Sequence, residues 1–202
     1  MASRAPAAVR QYGAAIRTLL LFTVVLGLAY PLLMTGISQV VLNDQANGSR
    51  LTVNGKEIGS SLLGQSFTDA DGNPLRQWFQ PRPSAGGYDP LASGASNLGP
   101  NAEDQVKAVD ERRAAVAEFD GVAPADVAPD ALTASGSGLD PHISPAYARQ
   151  QINRVADARN LASDQVRKLV DDHTQGRILG FLGEDRVNVL ELNIALDQLS
   201  RN

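Results

Sequence analysis

Ser135, Ser137, Asp140 and His142 lie within eight residues of one another and offer the side-chain types of a hydrolytic site. A serine nucleophile needs a base to take its proton and an acid to orient that base. In an extended segment Asp140 and His142 would point the same way, because they are two residues apart. The Gly-x-Ser-x-Gly sequence of a nucleophile elbow is absent. The alternative is that both side chains satisfy loop backbone groups.

The sequence SGSG at 135–138 could instead cradle a phosphate with its backbone N–H groups. Gly136 and Gly138 permit tight turns, but no lysine follows and the strand–GxxxxGK[ST]–helix pattern is absent. A metal site is disfavoured, because the chain has no cysteine and its two histidines, His142 and His173, are far apart in sequence. A fourth interpretation is a docking surface, since prolines in the neighbouring loops lower the entropy lost on binding.

Helices are predicted on both sides of this motif. Pro145 at a first helical position and Glu191 in a capping box support two of their starts, and Gly176 is predicted to end another. The predicted N-caps or first residues are Asn101, Ser144, Ser163 and Asn188.

Extended segments are predicted mainly in the first half of the chain. Asn54-Gly55, between alternating apolar residues, predicts a β-hairpin with a two-residue turn. Residues 77–81 predict a strand that ends at Pro81, because proline cannot donate to an inner ladder. A short apolar strand is also predicted at 177–182. The body of the chain is therefore expected to be α+β.

A charge-free segment between Arg17 and Asp44 is long enough to cross a bilayer as a helix. It is longer than the apolar part of a signal peptide, and no convincing cleavage site follows, so an uncleaved anchor is predicted. Pro31 should kink this helix, and the small Gly36 would let another membrane helix approach closely. The predicted divisions of the chain are residues 1–17, 18–42 and 43–202.

The charges of the chain are distributed unevenly. Arg4, Arg10 and Arg17 are the only charged residues before Asp44, so the positive-inside rule places residues 1–17 in the cytoplasm and the body outside it. The formal net charge is −4, so residues 43–202 carry −7 once the three arginines are set aside. An acidic body argues against a nucleic-acid partner.

Several motifs, in order along the chain, resemble the C subunit of the Kdp potassium-transporting P-type ATPase. These are YPLLMTGISQ (30–39), GSSLLGQSF (59–67), WFQPRPSA (78–85), SGASNLGP (93–100), TASGSGLDPHISP (133–145), RVADARNL (154–161) and GRILGFLGEDRVNVLELNIALD (176–197). The resemblance implies an accessory subunit in a bacterial plasma-membrane complex with the Kdp A, B and F subunits. In that complex the B subunit hydrolyses ATP and K⁺ enters through the A subunit.

The resemblance also implies how such a subunit acts. The phosphorylation motif DKTGT is absent, so no enzymatic activity is expected of this chain. The family is described as a catalytic chaperone that raises the ATP affinity of the B subunit through a transient B–C–ATP complex, with no tightly bound cofactor of its own. A family glutamine linked to nucleotide aligns best with Gln151, and Gln150 lies one position away.

An extracytoplasmic domain cannot reach cytoplasmic ATP, so two hypotheses stay open. Either the effect on ATP is indirect and residues 94–100 and 135–142 grip the outer face of the pump, or the orientation is reversed and the chain binds nucleotide directly. The candidate partner-contact residues are Pro31, Gly36, Asn97, Gly99, Ser135, Gly136, Gly138, Asp140 and His142.

Overall fold

The computed structural model describes residues 6–200, so Arg4, one of the three arginines behind the predicted orientation, lies outside the described residues. The chain separates into two compact units, Met1–Ser49 and Arg50–Asn202.

The first unit is dominated by one long helical run, which ends before a short helix. Over Ala7–Val41, this run is the only stretch among residues 6–200 that is long and apolar enough to span a membrane. Its parts are helix α1 (Ala7–Val24), a π-helical turn (Val25–Ala29) and helix α2 (Tyr30–Val41), and the short helix is α3 (Asn43–Ala46).

The π turn lies directly before Pro31. The N–H of Tyr30 donates to the carbonyl of Val25, five residues earlier instead of four. Proline has no N–H and its ring crowds the preceding turn, so the helix widens locally at the position where the sequence predicts a distortion. The residues after Arg17 that belong to the run would by themselves extend about 36 Å at the usual helical rise, which exceeds a hydrocarbon core of about 30 Å.

The second unit begins with the predicted hairpin. Strands β1 (Arg50–Val53) and β2 (Lys56–Ser60) pair antiparallel. Asn54 and Gly55 have φ values of 51° and 77°, as the two central residues of a type I′ turn require. The hairpin prediction is confirmed.

Within the described residues, the rest of this unit contains five α-helices, two single-turn 3₁₀ helices (Pro124–Asp126 and Pro129–Ala131) and a small sheet. The α-helices are α4 (Glu103–Asp120), α5 (Pro145–Gln150), α6 (Ile152–Arg159), α7 (Ser163–Asp172) and α8 (Val189–Leu199). The sheet consists of β3 (His142–Ile143), β4 (Thr174–Gln175) and β5 (Arg186–Asn188), with β5 in the centre and both pairings antiparallel. The α+β prediction is confirmed.

Two of the predicted N-caps, Ser144 and Asn188, are confirmed by the hydrogen bonds of their side chains. Ser144 Oγ accepts the N–H of Tyr147 at 3.0 Å, and Asn188 Oδ1 accepts the N–H of Glu191 at 3.1 Å. Two helix ends were predicted wrongly. Helix α4 follows Ala102 as its N-cap, one residue after Asn101, and α7 ends before His173 because the chain then enters β4.

The core forms where α5, α6, α7 and α8 pack with the central strand. Residues that are 0–1% exposed include Phe79, Ala148, Ile152, Val155, Val166, Val170, Val187, Leu192 and Leu196. Burying a large aliphatic or aromatic side chain contributes about 1.5–3 kcal/mol, so this cluster is the main source of the unit's stability.

The predicted strand at 77–81 is wrong, and side-chain amides explain why. Asn193 accepts the N–H of Phe79 and donates to its carbonyl, both at 2.9 Å. Gln151 accepts the N–H of Gln80 at 2.7 Å and donates to its carbonyl at 3.1 Å. Two amides from helical segments therefore replace the partner strand, and the buried backbone is satisfied without a sheet.

The predicted strand at 177–182 is also wrong. Ile178 and Leu182 exchange two backbone hydrogen bonds of 2.9 Å, which close a tight turn within the long β4–β5 connection. Gly180 within the turn and Gly183 after it have φ values of about 80°, so the chain reverses where an apolar strand was expected.

Candidate functional site

Two loops of the second unit, residues 82–94 and 135–142, are joined by hydrogen bonds into one surface, here named the paired loops. The carbonyl of Ser137 accepts the N–H of Gly94 at 2.8 Å and the hydroxyl of Ser93 at 3.1 Å. Two motifs that are about 40 residues apart in sequence are thus fixed against each other, which neither motif by itself predicted.

Gly138 lies where the two loops come closest. Its φ is 69°, its carbonyl accepts the hydroxyl of Ser84 at 2.7 Å, and a Cβ built at this position would lie 2.8 Å from the carbonyl oxygen of Gly94. Only glycine fits this combination of left-handed backbone and close approach. Gly136, two residues away, has open space around its Cβ position, so the two predicted glycines differ in what they do.

A groove of about 560 Å³ runs beside the paired loops. Leu62, Leu63 and Leu139 line it together with the Ser-Gly segment. The N–H of Gly64 donates to the carbonyl of Leu139 at 2.9 Å, which fixes this wall against the loop. Leu62 and Leu63 are exposed, so the groove offers apolar surface next to hydrogen-bonding backbone, a combination suited to protein contact.

The structure does not assemble a serine nucleophile with its base. Ser135 Oγ accepts the N–H of Gly138 at 3.0 Å, and Ser137 Oγ accepts the N–H of Leu139 at 3.1 Å. Within residues 6–200, no hydrogen bond joins the ring of His142 to a serine hydroxyl. Both hydroxyls serve the local turn, so the alternative of satisfied loop groups is the one that the geometry supports.

Asp140 holds the end of the loop in place. One carboxylate oxygen accepts the N–H of His142 at 3.0 Å and lies 3.4 Å from its Nδ1, and the other accepts from Arg82 Nη1 at 3.1 Å. Burial would raise the pKa of Asp140, but the hydrogen bonds from His142 and the charge of Arg82 outweigh it, and the pKa lies below its ordinary value. Asp140 therefore stays ionised and links the two loops.

A phosphate is not expected at the helix that follows. Ser144 donates its N–H and its hydroxyl to the carboxylate of Asp130 at 2.6 and 2.8 Å, so an acidic side chain already occupies the start of α5. No group of three or more His, Cys, Asp or Glu side chains that could hold a metal occurs in the described part of the chain.

Gln151 is completely buried at the junction of α5 and α6. Besides its two bonds to Gln80, its amide oxygen accepts from Arg154 Nη2 at 2.6 Å. The neighbouring Gln150 also bonds within the fold, accepting the N–H of Ala128 at 2.8 Å and donating to Asp120 at 2.7 Å. Neither glutamine amide is free to bind a nucleotide in this conformation.

Sequence reasoning missed a buried ion pair beside Gln151. Arg154 Nε donates to Asp120 at 2.7 Å, and the two side chains are 0% and 1% exposed. The guanidinium also donates to the carbonyls of Arg76 and Trp78 and lies 4.5 Å from the ring centre of Phe119. Burial lowers the pKa of Arg154, and Asp120 opposes this. Helical periodicity carries no signal for it, because at about 100° per residue Arg154 lies about 200° around α6 from Ile152, away from the apolar stripe.

The remaining predicted contact residues lie outside the paired loops. Asn97 has a φ of 55° and donates only to the nearby carbonyl of Ala95, at 3.2 Å. Gly99 is exposed with open space around it. Pro31 and Gly36 belong to the apolar helix of the first unit, where Gly36 has no neighbour within 4 Å of its Cβ position. Their roles as partner contacts stay predictions.

Sequence comparison shows to which protein family this chain belongs. The profile described as "K+-transporting ATPase, c chain" matches residues 12–198. The chain belongs to the K⁺-transporting ATPase c chain family. This c chain is similar to the potassium-transporting ATPase KdpC subunit of Kineococcus radiotolerans, with 58% identity over 93% of each chain. It is also similar to the KdpC subunits of Streptomyces avermitilis, 47% identical over 92% of each chain, and Mycobacterium bovis, 50% identical over 94% of this chain and 99% of that one.

The matches confirm the resemblance inferred from the motifs and cover both units of this c chain. The helical run Ala7–Val41 is compatible with membrane anchoring of such a subunit.

Proposed function

We propose that this chain is a non-catalytic subunit that helps to assemble and stabilise the K⁺-transporting ATPase and raises the ATP affinity of the ATP-hydrolysing B subunit indirectly. Its second unit lies outside the cytoplasm of the bacterial plasma membrane, and the helical run anchors it beside the A, B and F subunits. The observation that carries this proposal is that hydrogen bonds join the paired loops into one surface beside a groove with exposed leucines.

The competing function is direct binding of ATP, and the burial of Gln151 disfavours it. An amide that is 0% exposed and bonded to the backbone of Gln80 and to Arg154 would have to leave the fold to contact a nucleotide. Moving Gln151 out of the fold would break its hydrogen bonds to Gln80 and Arg154 and leave those buried groups unsatisfied, which is energetically unfavourable. The indirect route needs no such opening.

ATP titration separates the two functions. We expect the purified full-length chain in detergent to show no saturable ATP binding by calorimetry. The complete complex should bind ATP about 5–150 times more tightly than the complex lacking this chain, which corresponds to a coupling of about 1–3 kcal/mol between distant sites. By linkage, ATP should strengthen the association of the chain by the same factor. Saturable binding to the chain alone would favour direct contact, and equal affinities of the two complexes would refute the coupling.

The absence of cysteine makes the orientation directly measurable. Ala125 is exposed in the second unit, and Ala8 is exposed at the start of α1. In right-side-out vesicles, a membrane-impermeant maleimide should label Ala125→Cys at once and Ala8→Cys only after permeabilisation, because arginines flank the cytoplasmic end of the helix. The reverse labelling pattern would place the second unit in the cytoplasm.

A further inference from the structure

The connection between β4 and β5 exposes four large apolar side chains in succession. Ile178, Leu179, Phe181 and Leu182 are 57%, 80%, 68% and 47% exposed. Single exposed apolar residues are normal on a protein surface, but a contiguous cluster marks a surface that another molecule covers. Residues 178–182 are named the apolar turn.

Backbone hydrogen bonds within this chain close the apolar turn. In addition to the two bonds between Ile178 and Leu182, the N–H of Phe181 donates to the carbonyl of Ile178 at 3.3 Å. Leu179 has a φ of 55°, in the left-handed region that favours glycine or asparagine. A strained leucine that is mostly exposed adds little to the core, so its side chain is best explained by a contact outside this chain. Because the turn is already ordered, it loses little entropy on docking.

The charges around the apolar turn favour a protein partner over lipid. Arg177 precedes the turn, and Glu184, Asp185 and Arg186 follow it, so charges of both signs surround an apolar centre. Protein interfaces have this arrangement of apolar core and polar rim. Segments that enter the lipid interface are flanked by Lys and Arg or by Trp and Tyr. Two acidic side chains here would instead be repelled by anionic headgroups.

The residues that directly follow the apolar turn adjoin the paired loops. Glu184, Asp185 and Arg186 line a cleft of about 280 Å³ together with Asp140 and His142. The residues that follow the apolar turn therefore share a cleft with the paired loops, and a partner seated on the turn would lie next to this cleft.

We propose that the apolar turn is the anchor by which this chain seats in an apolar pocket, rimmed by charges of both signs, on another protein subunit of the ATPase. This inference rests on the proposed function in that the partner is a subunit of the same complex. Leu179 and Phe181 are the anchor residues, because they are the most exposed of the four.

Association of the full-length chain with the complex lacking it tests the proposal. Leu179→Asn keeps a residue that tolerates positive φ, so the fold should be as stable as before or more so. We expect Leu179→Asn and Phe181→Ser each to weaken association about 10- to 30-fold, as loss of an interface hot spot does. The control is Val106→Asn on α4, a separate helix, where a valine that is 49% exposed is removed and association should stay unchanged. Unchanged association of both turn variants would overturn the proposal.

A photo-crosslinking residue in place of Phe181 identifies the occupant in native membranes. A crosslink to another subunit of the complex is the expected result. A crosslink to lipid alone, or none, would overturn the proposal. If Gly138→Ala disrupts the complex while the turn variants do not, the apolar turn is not the anchor although the proposed function stands. If the unaltered chain fails to associate with the other subunits, the proposed function itself fails.

Discussion

Replacing Arg154 with leucine is expected to lower the free energy of unfolding of the second unit by about 3–5 kcal/mol, because it leaves the Asp120 carboxylate buried without its counter-ion. The same change removes the donors that satisfy the carbonyls of Arg76 and Trp78. For a unit of this size the melting temperature should fall by roughly 2–4 °C per kcal/mol. Trp78 is the only tryptophan of the chain and lies at the network, so its fluorescence reports the transition.

A matched surface pair provides the control. Arg149 donates to Asp171 at 3.0 Å, but both side chains are about half exposed. Exposed ion pairs contribute about 0–1 kcal/mol, so Arg149→Leu should have a small effect. If the two leucine variants unfolded at the same temperature, burial would not be the source of the stability attributed to Arg154.

The cost of an unpaired buried charge can be isolated with a second substitution. In an Asp120→Asn, Arg154→Leu double variant no charge remains at the site, and the amide oxygen introduced at position 120 can still accept from Gln150. We expect part of the lost stability to return relative to Arg154→Leu alone. No recovery would mean that the loss comes from the unsatisfied carbonyls of residues 76 and 78.

The predictions that succeeded rest on local chemistry. Asn54-Gly55 specifies its turn through two positive φ angles, and Ser144 and Asn188 specify helix starts by accepting N–H groups three residues ahead. Such signals depend only on neighbours in sequence, so they specify the same local structure whatever the tertiary fold. The charge-free segment after Arg17 is equally local and predicts its helix correctly.

The failed strand at 77–81 and the missed ion pair both depend on partners distant in sequence. Nothing near 77–81 shows that amides from Gln151 and Asn193, more than 70 residues away, will take the place of a neighbouring strand. Asp120 and Arg154 look like ordinary surface charges until the fold buries them together. Long-range contacts of this kind override local propensity.

The candidate site contains both a feature that local sequence predicts and one that depends on a distant partner. The Ser-Gly motif could be recognised as a shaped loop, but its partner, residues 82–94, could not be deduced from either stretch, because most of the hydrogen bonds between them end on backbone carbonyls, which carry no residue-type signal. The two glycines at 136 and 138 look alike in sequence. Only the 2.8 Å approach of the Gly94 carbonyl separates the constrained position from the free one.

Gly138→Ala is therefore expected to push the paired loops apart and to lower the stability of this region by about 2–4 kcal/mol. The methyl group adds the cost of a left-handed conformation for an L-residue to the cost of crowding a backbone oxygen that cannot rotate away. The loss of stability should appear first as faster hydrogen exchange at the N–H of Gly94, which donates to Ser137 across the two loops. Assembly with the other subunits and K⁺ uptake should decline with it.

Gly136→Ala is the matched control, since it adds the same methyl group two residues away with no atom within 4 Å and without a positive φ. It should leave exchange at Gly94, assembly and K⁺ uptake unchanged. If both variants transported K⁺ equally well while Gly94 exchanged faster only in Gly138→Ala, the paired loops would be a structural turn and not a docking surface.

Because Asp140 and Arg82 bridge the same loops, Asp140→Asn should loosen them in the same direction as Gly138→Ala, but less, since its partly exposed ion pair is worth less than a backbone clash.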